Sequence, residues 1–164
     1  GCRRVTERFL HGEPPAPEGL DTASAWAEEQ FAAHWTQLPV AAELPGRLVA
    51  VGGTVTTLVA MVHELKRYDP AFVHLHALSL DEVERAVERL SKLTPQQIAE
   101  LDGVQPKRAP VILAGAVVIR ALMCTGGYTE LTVSENSLLA GMAATISEVL
   151  DGMDPTIGWT PELS

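Results

Sequence analysis

Apolar residues recur at helical spacing in four stretches of the chain, 26–38, 80–93, 111–123 and 138–150. A stripe of this kind predicts a helix that packs one side against the core. The first stripe consists of Trp26, Ala27, Phe31, His34, Trp35 and Leu38. The last consists of Leu138, Met142, Ile146, Val149 and Leu150. The pattern therefore predicts four main helices that bury one another.

Short apolar runs without this spacing predict strands. Leu48–Val51 is continuous and apolar, which favours a strand buried on both faces, and Thr129–Val133 is a second short run. Each run precedes a helical pattern, which gives strand-then-helix units at 47–66 and 129–150. Phe72–Leu78 alternates enough to form a short strand or an edge segment. These units predict an α/β layer structure that is rich in helix and has a small, mainly parallel sheet.

Capping residues indicate where several helices begin. Ser79 and Glu82 have the spacing of a capping box, and Thr94 and Gln97 repeat it. Ser134 is expected to cap the last long helix.

The segments near the two ends of the chain are less regular. Gly1–Leu10 has the pattern of a strand exit followed by a short helical turn, and the prolines of His11–Leu20 predict a surface loop. The first long helix is then expected to begin near Asp21 or Thr22. Beyond residue 150, the tail 151–164 has no periodicity and is expected to be irregular.

The turn between the first strand and its helix consists of Gly52, Gly53 and Thr54. Two residues without a Cβ atom let the backbone approach a ligand closely, and the N–H groups of the first helical turn favour an anion. The turn is therefore a candidate phosphate-binding loop. The alternative is that the glycines satisfy backbone geometry alone.

The charge of the chain limits its partners. It carries 12 Lys and Arg against 21 Asp and Glu, a net charge of −9. A surface of that sign repels nucleic acid and anionic membrane, so we expect no DNA, RNA or membrane partner. A polyanionic ligand would have to be held by backbone dipoles, a few basic residues or a metal ion.

Cysteine content and apolar segments bear on the compartment. Cys2 and Cys124 are too few for a disulfide framework, which favours a reducing compartment, the cytoplasm. Val111–Met123 is too short to span a bilayer and contains Arg120. The chain begins without Met and without the apolar region of a signal peptide, so we expect that something precedes it.

Histidine offers the one candidate for a metal site. His74 and His76 would point to the same face of a strand over Phe72–Leu78. No cysteine or third histidine lies near them in the sequence, so we predict no metal site in this chain.

Five blocks of sequence resemble one known family in order and spacing. They are G-C-R-R-V-T-E-R-F at Gly1–Phe9, V-G-G-T-V-T-T-L-V-A at Val51–Ala60, V-H and then L-S-L-D-E-V within Val73–Val83, K-R-A-P-V-I-L-A-G-A at Lys107–Ala116, and L-T-V-S-E-N-S-L-L-A-G at Leu131–Gly141. The chain thereby resembles the exopolyphosphatase and guanosine pentaphosphate phosphatase (Ppx/GppA) family, over residues 1–150.

This resemblance implies a ribonuclease-H-like lobe of the actin-like ATPase superfamily. It also implies hydrolysis of terminal phosphate from inorganic polyphosphate or the guanosine nucleotide pppGpp, with Mg2+, in a cleft between two lobes. Residues 1–150 match most of the second lobe, whereas the catalytic glutamate of the family lies in the first. We therefore expect no catalytic residue in this chain, Gly52, Gly53 and Thr54 as phosphate-binding residues, and no hydrolysis by the chain alone. The helix faces that would meet the first lobe are expected to be apolar and to favour a homodimer.

The chain departs from the family at two positions that bear on the ligand. Leu139 stands where many members have an arginine, and no lysine occurs near Thr56, where some polyphosphatases carry one. Both losses remove positive charge, which favours a smaller phosphate ester or nucleotide, or a weakened enzyme. A binding protein that senses phosphate or a nucleotide without turnover is the alternative.

Three further residues, Thr56, Ser134 and Glu135, are candidates for the wall of the cleft. Glu135 follows Ser134 at the junction of strand and helix and could face the cleft. The simpler interpretation is that Ser134 caps the helix and Glu135 complements its dipole.

Overall fold

The computed structural model of the chain describes residues 1–36 and 46–154. The helices in these ranges are α1 (Cys2–Phe9), α2 (Pro17–Trp35), α3 (Gly53–Val62), α4 (Pro70–Val73), α5 (Leu80–Ser91), α6 (Pro95–Ala99), α7 (Ala109–Gly126) and α8 (Leu138–Leu150), with a 3₁₀ turn at Pro106–Arg108. The strands are β1 (Val49–Val51), β2 (His76–Ser79) and β3 (Glu130–Ser134). Each strand is followed by a helix, as the sequence pattern predicted.

The three strands form one sheet in the order β1-β3-β2. β1 and β3 pair in parallel, with Val49 opposite Thr132. β2 is antiparallel to β3, so the sheet is mixed rather than mainly parallel. The chain enters β2 through Leu75, whose φ of 62° and N–H bond to the Val133 carbonyl (2.7 Å) set the direction of the strand.

The core surrounds α7, which packs against α1, α2, α3, α5 and α6. Pro106–Gly126 is long and apolar enough to cross a membrane, but 56% of its apolar window is buried inside the protein, as in the core helix of a folded domain. Gly115 permits a close helix contact, because a Cβ atom there would lie 2.5 Å from Cγ2 of Thr54. The long buried helix expected over Val111–Met123 is confirmed.

Both predicted capping boxes are present. The Ser79 hydroxyl accepts the Glu82 N–H, and the Glu82 carboxylate accepts the Ser79 N–H in return. Thr94 and Gln97 make the same reciprocal pair at the start of α6. α7 ends at Gly127 in the left-handed region, as the two consecutive glycines predicted.

The N-terminal predictions need correction. α1 runs over the eight residues Cys2–Phe9, longer than the short helical turn that was expected, and α2 begins at Pro17 rather than near Asp21, because proline is well tolerated at the first helical position. The predicted apolar stripe of α2 is only partly buried: Ala27 is buried, and Trp26, Phe31 and Trp35 are half-buried. His34 is exposed, and its Nδ1 lies 2.6 Å from the carbonyl oxygen of Gln30. Leu38 lies outside the described residues.

The strand predictions at Leu48–Val51 and Phe72–Leu78 were also partly wrong. β1 is not buried on both faces: Val49 and Val51 are 54% and 58% exposed, since β1 is an edge strand and one face of the sheet lies open among the described residues. Residues 70–73 form the single turn α4 instead of a strand, because Asp69 caps it and Pro70 takes the first helical position.

The last helix forms where the sequence predicted it, but its apolar stripe is not core. Leu138 and Leu150 are 78% and 73% exposed, Met142 is exposed as well, and Thr145 is the buried residue of α8. The expectation failed because periodicity identifies an apolar side of a helix but not the element that covers it. Of the tail, only 151–154 belong to the described residues.

Candidate functional site

The turn before α3 has the backbone geometry that the sequence predicted. Gly52 is its N-cap and has a φ of 93°, a backbone conformation that residues other than glycine rarely adopt. Gly53 and Thr54 are the first two helical residues. Their N–H groups have no acceptor within the helix, and they lie at the positive end of its dipole.

A cavity of about 250 Å³ opens at this turn. Its lining comes from four parts of the chain that are distant in sequence, namely the start of α3, the segment before α4, the segment before α7, and the β3–α8 junction. The lining residues are Gly52, Gly53, Thr56, Thr57, Tyr68, Gln105, Arg108, Glu135 and Ser137. The glycine turn therefore borders a concave surface, and no element within residues 1–36 and 46–154 covers it.

The threonines of α3 divide between two sides of the helix. Thr56 lines the cavity. The Thr54 side chain points elsewhere: its hydroxyl lies 3.5 Å from Sγ of Cys2, and its methyl group packs against Gly115. Thr54 can therefore serve an anion in the cavity only through its backbone N–H.

Arg108 supplies the positive charge of the cavity, and sequence reasoning missed it. Its guanidinium lies directly over Gly53, so a Cβ atom at position 53 would lie 3.0 Å from Nε and closer still to the rest of the group. Arg108 belongs to the 3₁₀ turn that leads into α7, and it is the one cation among the lining residues. Arg108 belongs to the K-R-A-P block that was noted in the sequence. A local sequence pattern cannot show, however, that it contacts a glycine 55 positions earlier.

Glu135 faces the cavity and contacts Tyr68. The Tyr68 hydroxyl donates a hydrogen bond to the Glu135 carboxylate. Burial, together with the hydrogen bond to Glu135 and the negative charge of Glu135, raises the pKa of Tyr68 to about 12, although a hydrogen bond with Thr56 works in the opposite direction. Tyr68 consequently remains a neutral donor at physiological pH.

Ser134 does not cap the last helix. Its hydroxyl is buried with the residue and accepts the N–H of Asn136 at 3.1 Å, in a turn that follows β3. Ser137 occupies the N-cap position of α8, without a side-chain hydrogen bond to the helix, and it lines the cavity. Leu139 is in the first turn of α8 and is 74% exposed.

The histidines do not form the pair that was expected. His74 precedes β2, and its Nδ1 accepts the backbone N–H of Glu135 at 3.3 Å. His76 instead meets His63, with 2.9 Å between their Nε2 atoms, and Glu82 lies 3.8 Å from His63. Within residues 1–36 and 46–154, no three His, Cys, Asp or Glu side chains are arranged to hold a metal ion.

Comparison with known proteins agrees with this architecture. The sequence profile of the Ppx/GppA phosphatase family matches residues 1–147. Exopolyphosphatase 2 of Mycobacterium tuberculosis is 35% identical over 151 residues, which cover 90% of this chain and 47% of that protein. The chain therefore spans about half the length of the relatives that it matches.

Solved structures give the same result at the level of the fold. The crystal structure of the Aquifex aeolicus Ppx/GppA family member matches with a TM-score of 0.81 and 26% identity, over 93% of this chain and 47% of the other. An exopolyphosphatase-like protein matches with a TM-score of 0.78 and 29% identity, over 92% of this chain and 49% of the other. These matches confirm the expected fold, a helix-rich lobe of the actin-like, ribonuclease-H-like class.

Proposed function

The chain belongs to the Ppx/GppA phosphatase family, and on this premise we propose that residues 1–150 are the second lobe of a phosphohydrolase. Its substrate is inorganic polyphosphate or a guanosine nucleotide of the pppGpp type, from which it releases terminal phosphate. The observation that carries the proposal is the meeting of the α3 N-terminus with the Arg108 guanidinium at one cavity.

The chemistry of the cavity suits a phosphate group. The N–H groups of Gly53 and Thr54 donate to one side of the anion, and the helix dipole adds to the attraction. Arg108 contributes a planar group that can make two parallel hydrogen bonds to phosphate oxygens. The neutral Tyr68 hydroxyl keeps the Glu135 carboxylate hydrogen-bonded at the far wall.

The charge of the cavity favours a short ligand. One arginine lines a space of about 250 Å³, and Leu139 leaves the nearby start of α8 without a second cation. A long polyphosphate chain carries one charge at nearly every phosphate and gains most from several cations, so a smaller phosphate ester or nucleotide fits this wall better.

Mg2+ is proposed only for the complete two-lobed protein. This ion is usually bound by one or two carboxylates together with substrate phosphates. Among the residues that the structure describes, Glu135 is the one carboxylate that lines the cavity, and it is engaged with Tyr68. The described residues do not by themselves provide a magnesium site, so we assign no step to the ion here.

The remaining features of the complete protein are also proposals. The catalytic carboxylate comes from the other lobe, and the lobe in this chain consists of residues 1–150. The exposed apolar side chains of α8 favour a homodimer. The net charge of −9 disfavours nucleic acid and membrane as partners, and two free cysteines are compatible with the cytoplasm.

A second candidate is a protein that binds phosphate or a nucleotide without turnover. Leu139 favours it, because an arginine able to meet phosphate is replaced there. The coding sequence upstream of Gly1 discriminates between the two: a first lobe with its phosphate loop and glutamate supports the enzyme, and its absence supports the binding protein.

Arg108→Met, matched with Lys107→Met, tests the proposed function. Both changes remove one positive charge from neighbouring residues, but Lys107 is exposed and does not line the cavity. We expect Arg108→Met to weaken binding of tripolyphosphate by at least about tenfold, since hydrogen bonds to charged groups contribute roughly 1.5–3 kcal/mol. Lys107→Met should change it by less than about twofold. Equal effects of the two variants in calorimetric titrations would exclude the cavity as the phosphate site.

A further inference from the structure

We infer that the segment Tyr68–His74, here called the α4 clamp, holds Glu135 at the wall of the cavity, and that His74 is a positioning residue within it. The clamp contacts Glu135 at both ends. The Tyr68 hydroxyl donates to its carboxylate, and Nδ1 of His74 accepts its backbone N–H at 3.3 Å. Side chain and backbone of Glu135 are thus tied to one short segment.

The clamp is itself a stiff unit. Asp69 accepts the N–H groups of Ala71 and Phe72 at 2.9 and 3.3 Å, so the single turn α4 is capped by a side chain. Val73 is completely buried. The spacing between Tyr68 and His74 is therefore set by a capped turn that is anchored in the core.

The clamp is also attached to β3 through the residue that follows it. The N–H of Leu75 donates to the Val133 carbonyl at 2.7 Å, two residues before Glu135. This bond and the His74 bond are consecutive links between the same two segments. Together they fix the position of the clamp relative to the β3–α8 junction, so that Glu135 lies within hydrogen-bond reach of Tyr68.

The His74 bond depends on the protonation state of the ring. Nδ1 can accept the Glu135 N–H only while it carries no proton, so the bond requires the neutral ring with its proton on Nε2. Loss of this acceptor should release the Glu135 backbone while the Tyr68 contact remains.

The consequence for turnover rests on the proposed function, whereas the contact itself does not. If the cavity holds the phosphate, loosening Glu135 misplaces one wall of the site, and an error of about 1 Å can cost up to about 100-fold in rate. His74 acts through Glu135 and does not line the cavity.

Two variants of His74 distinguish the effect of the hydrogen bond from the effect of the imidazole ring. His74→Asn places an amide oxygen near the position of Nδ1, so the acceptor is kept. His74→Phe keeps a ring and loses the acceptor. His11→Asn, in the exposed loop before α2, is the matched control for a histidine change elsewhere. Far-UV circular dichroism establishes that each variant is folded.

The first readout is the backbone amide resonance of Glu135, recorded in the 164-residue chain at one fixed pH. We expect it to stay close to its wild-type position in His74→Asn and in His11→Asn, and to be displaced in His74→Phe. Equal displacement in His74→Asn and His74→Phe would overturn the inference.

The second readout is phosphate release by the two-lobed protein. We expect His74→Phe to lower kcat by about tenfold with KM changed by less than about twofold, and His74→Asn to restore kcat to within about twofold of the wild type. Equal loss in both variants would contradict a positioning role. If the wild type releases no phosphate, the proposed enzyme function fails, and the Glu135 resonance still decides the role of His74.

Discussion

The guanidinium of Arg108 occupies the space that a side chain at Gly53 would need. The glycine therefore allows a cation to lie against the first turn of α3, where backbone N–H groups already favour an anion. Two weak features, a glycine turn and a single arginine, become one candidate site because they lie at the same point.

Gly53→Ala should weaken phosphate binding by displacing Arg108. Gly53 has no positive φ, so alanine is allowed there and the helix should lose no stability. The far end of the arginine can swing away, which removes its hydrogen bonds to the ligand and lowers the affinity for tripolyphosphate by about tenfold.

A double-mutant cycle checks that this effect passes through Arg108. In the background of Arg108→Met, the added methyl group should change affinity by less than about twofold, because the two residues are in contact and not independent. Additive losses would mean that the methyl group blocks the ligand itself.

Leu139→Arg should raise the affinity for polyphosphate in the two-lobed protein and steepen its salt dependence. Leu139 is 74% exposed, so the change adds a cation near Ser137 at little cost in stability. A guanidinium there gives phosphate a further bidentate partner that salt screens. Leu150→Arg, at the other end of α8 and 73% exposed, is the matched control. Equal affinities of the two variants at two salt concentrations would show that the start of α8 does not face the ligand.

The 164 residues by themselves should fold at least in part and should not hydrolyse polyphosphate or pppGpp. The core around α7 is assembled from this chain alone, so folding does not depend on another lobe. Phosphoryl transfer needs phosphate, metal ion and attacking water to be positioned together, and the chain provides one wall. Turnover within tenfold of about 10 s⁻¹ in a phosphate-release assay with Mg2+ would contradict this and make Glu135 the first residue to mutate.

Glu82 should make folding stability depend on pH. Burial alone would raise the pKa of Glu82, but hydrogen bonds from the Ser79 side chain and backbone, with His63 and His76 nearby, lower it below the usual 4.5. A group whose pKa is lowered by folding stabilises the protein above its unfolded pKa and loses this effect as the pH falls through the folded value.

Glu82→Gln should therefore destabilise the chain by about 0.3–1 kcal/mol at pH 7, because glutamine can keep the capping hydrogen bond but loses the negative charge at the helix N-terminus, and by much less at pH 3. Urea denaturation at both pH values measures the difference. Glu84→Gln, on the exposed side of α5, is the control and should show little change at either pH. A constant difference between wild type and Glu82→Gln would show that the capping carboxylate does not titrate with folding.

Several features of this protein were determined by the sequence itself, because their causes lie within a few residues. The two capping boxes need only Ser79 with Glu82 and Thr94 with Gln97. The helix that opens at the Gly52 turn needs a positive φ that glycine provides. The family likeness rests on the same kind of local blocks, and the profile match over residues 1–147 confirmed it.

Other features were decided by the tertiary structure, because they join residues that no local pattern connects. Tyr68 and Glu135 are 67 positions apart in the sequence, yet they form a hydrogen bond at the cavity. The Arg108 guanidinium reaches Gly53 only after α7 has packed against α3. The exposed apolar side of α8 is a further example. Its helical spacing could be predicted from the sequence. Whether it is buried depends on which element packs against it, and this is decided by the tertiary structure.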